Sequence, residues 1–174
     1  MDTRVTDFVN VRARAAELRL ELKSELAILP RHFEDANDSA GLAHEAEAST
    51  LRKVLDDAGL AVQQLEPPTG RLAIVVEHTA EWVLPVLFVG SMLLTQNSYA
   101  IQVALSVLGS YAADFLKGVG ATQEVKLTVV VERTRAGSCR RLDYQGPASR
   151  VKELEGLIRS IQDDRSAGSD PRSV

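Results

Sequence analysis

The chain has 174 residues, a length that suits one domain of common size. Its 45% hydrophobic and 25% charged residues are the ordinary composition of a folded globular domain, and a net charge of -4 gives no reason to expect the basic stripe of a nucleic-acid-binding surface. The single cysteine, Cys139, excludes an intramolecular disulfide and a cysteine-rich zinc site, and fits a reducing compartment.

The first residues, MDTRVTDFVNVRARAAEL, carry charge throughout and lack the apolar core of a secretory signal. The expected location is therefore the cytoplasm or the cytoplasmic face of a membrane. Residues 1–29 read two ways. Leu18, Leu22, Leu26 and Leu29 recur at helical spacing, whereas Leu18, Leu20 and Leu22 alternate with charged residues as in a half-exposed strand. The preferred reading is a helix over 5–16 that runs into either state. Pro30 ends that element, and the turn formers and acids of RHFEDANDSAG over 31–41 predict a surface loop.

Leu51, Val54, Leu55 and Ala58 follow a helical repeat, and Gly59 stands where a left-handed cap belongs. Leu60-Ala61-Val62 opens a short strand in this reading. After the turn Pro67-Pro68-Thr69-Gly70, the segment RLAIVVE from Arg71 to Glu77 has the apolar run of a central strand.

No charged residue occurs from Trp82 to Ala113. Val83 to Thr95 reads as a helix apolar on all sides, with Pro85 tolerated in its first turn. Gln96-Asn97-Ser98 interrupts it, with Asn97 and Ser98 as cap candidates for a second, amphipathic helix. On that helix Ile101, Leu105, Leu108, Ala112 and Phe115 form one stripe. Gln102, Ser106, Gly109 and Ala113 form another, and the small residues there allow close helix packing. A membrane span over 83–103 competes with this reading, but the uninterrupted apolar run is only 13 residues and a span buries two amides. The sequence therefore predicts a break near Gln96 to Ser98 and two packed helices.

In the C-terminal third, Val125, Leu127, Val129 and Val131 alternate along a strand from Glu124 to Glu132. A connection over 133–138 leads to a second strand, Cys139 to Gln145, completing a hairpin. Gly146-Pro147 breaks it, Ser149 is a cap candidate, and Val151, Leu154, Ile158 and Ile161 mark the apolar face of a last helix. Residues 163–174 have nothing to bury and read as a tail.

The residue pattern assigns no catalytic, cofactor-binding or metal-binding residue. His32, Asp35, Asp38 and His44 share one stretch, yet a solvated acidic loop explains them better than a metal site. His78 beside Glu77 and Glu81 reads as an ordinary strand end. Arg140 and Arg141 would lower the thiol pKa of Cys139, but no base is placed beside it and a packed strand residue is the simpler reading. Gly118 and Gly120 follow a helix instead of opening one, so they cap it and do not cradle phosphate.

The order of a helix ending LRKVLDDAGL, the strand RLAIVVE, an uncharged helical pair, the hairpin EVKLTVVVERTRAGSCRRLDYQG and the helix VKELEGLIRSI resembles the effector-associated constant components of bacterial conflict and defence systems. The resemblance covers roughly residues 45–162. It implies an adaptor-like role and supplies no catalytic residues. The expected architecture is α+β: a small mixed sheet with a C-terminal hairpin, covered by helices that include the apolar central segment. The expected division is an N-terminal extension over 1–41, an α+β domain over 42–162 and a tail over 163–174. The expected function is a non-enzymatic adaptor that binds a protein partner or a second copy through an apolar helical face. Trp82, Leu87, Phe88, Ile101, Leu105, Leu108 and Phe115 are its candidate contacts. The alternative is a small membrane-inserting protein using 82–116 as a span or helical hairpin.

Overall fold

The computed structural model of the chain describes residues 1–76, 82–117, 124–133 and 137–163, without the side chains of Trp82 and Leu94. It is an α+β fold built on one mixed sheet. In chain order the elements are β1 (Asp2–Phe8), α1 (Val11–Glu17), β2 (Leu26–Leu29), a 3-10 turn (Ser39–Gly41), β3 (Ala43–Glu45), α2 (Ala46–Asp57), β4 (Gln63–Gln64), β5 (Ala73–Val75), β6 (Trp82–Val83) and β7 (Val86–Val89). There follow α3 (Leu93–Gln96), α4 (Ala100–Leu116), β8 (Glu124–Glu132), β9 (Cys139–Pro147), a 3-10 segment (Ala148–Leu154) and α5 (Glu155–Gln162).

The large sheet runs β1-β9-β8-β7-β2-β4, and β6 also pairs with β8. β8 and β9 form the expected antiparallel hairpin, in the register Leu127↔Tyr144, Val129↔Leu142 and Val131↔Arg140. β6 and β7 both lie parallel to β8, so they are one strand interrupted at Leu84-Pro85. A proline has no N–H to give a ladder, which is why the strand breaks there. The apolar run therefore corrects the expected helix over Val83 to Thr95: its first part is a central strand, and only Leu93–Gln96 turns helical. The break at 97–99 before α4 is where the two amides predicted it, with Asn97 Oδ1 accepting from the Tyr99 N–H at 3.1 Å. Residues 82–116 are thus neither one span nor a helical hairpin. No helix among the described residues is long and apolar enough to cross a membrane.

Four further expectations are corrected. Residues 2–8 are a strand and not helix; α1 begins only after Asn10, whose Oδ1 accepts from the Ala13 N–H at 3.0 Å. β1 and β2 are strands of the same sheet as the hairpin. The segment RLAIVVE is not central: among the described residues β5 pairs with β3 alone, in a separate two-stranded ribbon, and Ile74 and Val76 are exposed. The short strand expected at Leu60 to Val62 begins instead at Gln63, and Gly59 caps α2 at φ +90° as expected. Ser149 lies inside the 3-10 segment, behind Pro147 at its cap position. Residues 77–81, 118–123, 134–136 and 164–174 lie outside the described ones, so the readings of His78, of Gly118 and Gly120, and of the tail beyond Asp163 fall there.

Side chains alternate across a strand, so the sheet has two cores. On one face Leu87, Val89, Val125, Leu127, Val129, Val131 and Leu142 pack beneath α2, α4 and the C-terminal helical segments. α4 contributes Ile101, Ala104, Leu105, Leu108, Ala112 and Leu116, while Phe115, placed on the buried stripe by sequence, is exposed. Its Gly109 is the close-packing point. A Cβ there would stand 3.0 Å from the Ala148 carbonyl oxygen and 3.7 Å from Val151 Cβ. Gly109→Leu should therefore push the 3-10 segment off α4 and cost about 1–3 kcal/mol by urea denaturation, as overpacking does; unchanged stability would contradict this contact. On the other face Ala27, Leu29, Phe88, Val130 and Cys139 lie beneath α1 and the segment through Leu42.

Candidate ligand-binding cleft

The second face is covered over only part of its area. α1 lies over Phe88, Val130 and Cys139, which are buried, whereas Lys126, Thr128, Arg141 and Asp143 on the same face stay partly exposed. Two concavities of about 420 and 410 Å³ occupy that open part and share Thr128 and Arg141.

The first concavity has an apolar wall of Phe8, Leu29, Phe33 and Val86. Phe8 and Phe33 stack with ring centroids 6.5 Å apart and planes within 5°. Phe33 is turned inward by its loop. Arg31 N–H donates to the Ala43 carbonyl at 2.7 Å, and His32 adopts a left-handed φ of +63°. The Asp35 and Ala36 N–H groups then close the turn onto the His32 carbonyl. From α1, Arg14 Nε donates to the Phe33 carbonyl at 2.9 Å and its Nη2 donates to the Ala36 carbonyl. The left-handed residue costs roughly 1 kcal/mol or more, which these bonds offset. A loop read as solvated thus contains a buried aromatic residue.

The floor is polar. Arg141 Nε donates to both carboxylate oxygens of Asp143 at 3.0 Å, and Thr128 Oγ1 donates to Asp143 Oδ1 at 2.7 Å. Asp143 is the residue opposite Thr128 in the ladder, so the strand register itself assembles this triad. Arg4 pairs opposite Asp143 from β1 and extends the basic side into the second concavity.

A second polar cluster lies where β7 and β8 end, and it serves structure. Arg12 of α1 donates to Glu132 at 2.8 and 3.2 Å and to Glu25 at 2.8 Å, with its guanidinium 5.9 Å from the Phe88 ring. Glu132, 3% exposed, accepts from the Ser91 N–H at 3.0 Å, and Glu25 accepts from the Met92 N–H at 3.1 Å. Burial pushes the Glu132 carboxyl up, but the bonds from Arg12 and Ser91 and the Arg12 charge outweigh it and hold the group below the usual carboxylate range. A Cβ at Gly90 would fall 2.0 Å from Glu25 Oε2, so a larger residue there displaces the Glu25 carboxylate from this cluster.

The structure disperses the residues singled out by sequence. Leu87, Phe88, Ile101, Leu105 and Leu108 are all interior, Phe115 is on the surface, and Trp82 enters the sheet through its backbone in β6. The expected apolar face is covered by the chain's own elements. His44 is not in the 31–41 loop with His32; it is buried in β3, its Nε2 2.6 Å from the Leu65 carbonyl, and burial lowers its pKa. No group of metal-ligating side chains occurs among the described residues. Cys139 is buried, and burial raises its thiol pKa instead of the lowering expected from its neighbours.

Phe8, Phe33, Thr128, Arg141 and Asp143 were not candidates from sequence. Their one legible signal is that Lys126, Thr128, Arg141 and Asp143 are the polar alternates of the two hairpin strands, which marks an uncovered face. No family model, curated protein or solved structure matches the chain.

Proposed function

We propose that the chain is a non-enzymatic adaptor that holds a protein partner in the cleft on the open half of its sheet. The observation that carries this reading is the cleft itself: two concavities of about 420 and 410 Å³ joined at Arg141, with an apolar wall and convergent polar groups. The element order that resembles effector-associated constant components supports the same class. The contact surface in this reading is the cleft and not the apolar helical centre, because the anchors of that centre are used inside the chain.

The test is to isolate the tagged full chain from its native cells with whatever it holds, and to map retention onto the surface. Arg141→Met keeps the stem and removes the fork. It should leave the thermal melt within about 2–3 °C while reducing the retained partner at least tenfold, the loss expected from one charge-assisted hydrogen bond. Lys53→Glu on the exposed side of α2 should change nothing. Equal loss in both variants, or loss in neither, would remove the cleft from the account.

A further inference from the structure

We propose that the occupant of the cleft is an extended peptide segment in which an aromatic residue stands one or two positions from an acidic one; this rests on the adaptor reading and makes it more specific. The shape argues for a chain in place of a compact molecule. The two concavities meet at Thr128 and Arg141, so together they form one trough along β9. From Arg141 to Gln145 the strand alone advances about 13 Å at roughly 3.3 Å per residue, and the apolar lobe lies before that. A compact ligand fills one lobe, whereas a short extended segment fills both.

The chemistry sets what the segment carries. The stacked pair Phe8 and Phe33, with Leu29 and Val86, makes an apolar slot of the size and aromatic character that suits one ring. Arg141 stands at the exit of that slot. Its Nε is committed to Asp143, which Thr128 in turn orients, while neither terminal nitrogen has an acceptor among the described residues, and the side chain is 41% exposed. A guanidinium held by one edge presents the other as a planar fork, the geometry that matches a carboxylate. Charge then fixes the order along the trough. In the apolar lobe the acids Glu34 and Asp35 outnumber Arg31, whereas in the lobe beyond Arg141 the bases Arg4 and Lys126 outnumber Asp2, Asp143 being held by Arg141 and Thr128. The acidic residue of the segment therefore lies on the Arg141 side of its aromatic anchor.

The test uses the full chain labelled with nitrogen-15 and four probes. These are the blocked hexapeptide Gly-Ser-Phe-Glu-Ser-Gly, the same peptide with glutamine for glutamate, the same with alanine for phenylalanine, and 3-phenylpropionate. The parent peptide should move the backbone resonances of Phe33, Val86, Thr128 and Arg141 together with those of the second lobe. Each substituted peptide should bind at least tenfold more weakly, and Arg141→Met should lose the same factor, with Arg141→Lys restoring only part of it. Equal binding of the glutamine peptide overturns the carboxylate role. If 3-phenylpropionate binds as tightly as the peptide and moves only the first lobe, the occupant is a small carboxylate and the peptide reading falls. If every probe is silent while Arg141→Met still sheds the native partner, the peptide chemistry is wrong and the adaptor reading stands; if that variant sheds nothing as well, both fall.

Discussion

Val129→Asp is expected to abolish folding. Val129 is fully buried in β8, in register between Leu87 of β7 and Leu142 of β9, and faces the larger core beneath α4. The cation on that face of the hairpin, Arg140 opposite Val131, is already paired with Asp7 at 3.4 Å, so a carboxylate at 129 gains no partner. Burying an unpaired carboxyl there, ionised or protonated, costs a large share of the roughly 5–15 kcal/mol that holds a domain together. Circular dichroism should show loss of the sheet signal and of any cooperative melt. The neighbouring Thr128→Val is the control: it changes the opposite face, removes one hydrogen bond to Asp143, and should cost about 1 kcal/mol. A Val129→Asp variant that melts cooperatively near the parent temperature would contradict the register of the hairpin.

Arg12→Met should cost about 2–4 kcal/mol near neutral pH, less than the loss of a wholly buried partner because Arg12 is 42% exposed. The pH dependence identifies the cause. In the parent chain Glu132 titrates below its ordinary value of 4.5, so the stabilisation from this carboxylate is complete above that value and is lost as pH falls through the lower folded one. Without Arg12, burial, already the largest single influence, is opposed only by the Ser91 bonds, so Glu132 titrates higher than in the parent. The buried carboxylate is then less well supported at neutral pH, and the variant loses less on acidification because its group takes up a proton at a higher pH in the folded state. The stability difference between parent and variant, from urea unfolding at pH 7, 5.5 and 4, should therefore shrink as pH falls. A difference constant with pH would assign the loss to the guanidinium over the Phe88 ring. The double variant carrying Glu132→Gln as well should keep no such slope.

The C-terminal hairpin was legible because its two faces differ: Val125, Leu127 and Val129 meet a core, while Lys126 and Thr128 meet the cleft. The same physics hid β7. Phe88 and Leu87 are buried on opposite faces, so every residue of the run is apolar and no period distinguishes strand from helix. Its valines, Pro85 and the Gly90-Ser91 stop were the signs favouring a strand. β5 failed the other way: an apolar run read as central is exposed, because its partner among the described residues is the three-residue β3, in a ribbon separate from the main sheet. The cleft was illegible for a different reason. Its triad consists of threonine, arginine and aspartate, common residues on any exposed strand, and only ladder register and the turn after Pro30 bring them beside Phe8 and Phe33.

The placement of β1 has a consequence for how the chain is made. Asp2–Phe8 are synthesised well before β9, from Cys139 onward, which is their strand partner among the described residues. Until β9 emerges from the ribosome the edge of β1 lacks that neighbour, and Phe8 has no finished cleft wall to join. Its three charged residues, Asp2, Arg4 and Asp7, are the kind that discourage pairing with another nascent chain. The pairing is also the most sequence-distant in the sheet, so its loop entropy is paid late, after the local β8–β9 hairpin exists to receive it. The cleft floor and the larger core are therefore completed together, because β9 and the segments after it bring Arg141 and Asp143 to one face of the sheet and Leu142, Tyr144, Val151 and Ile158 to the other.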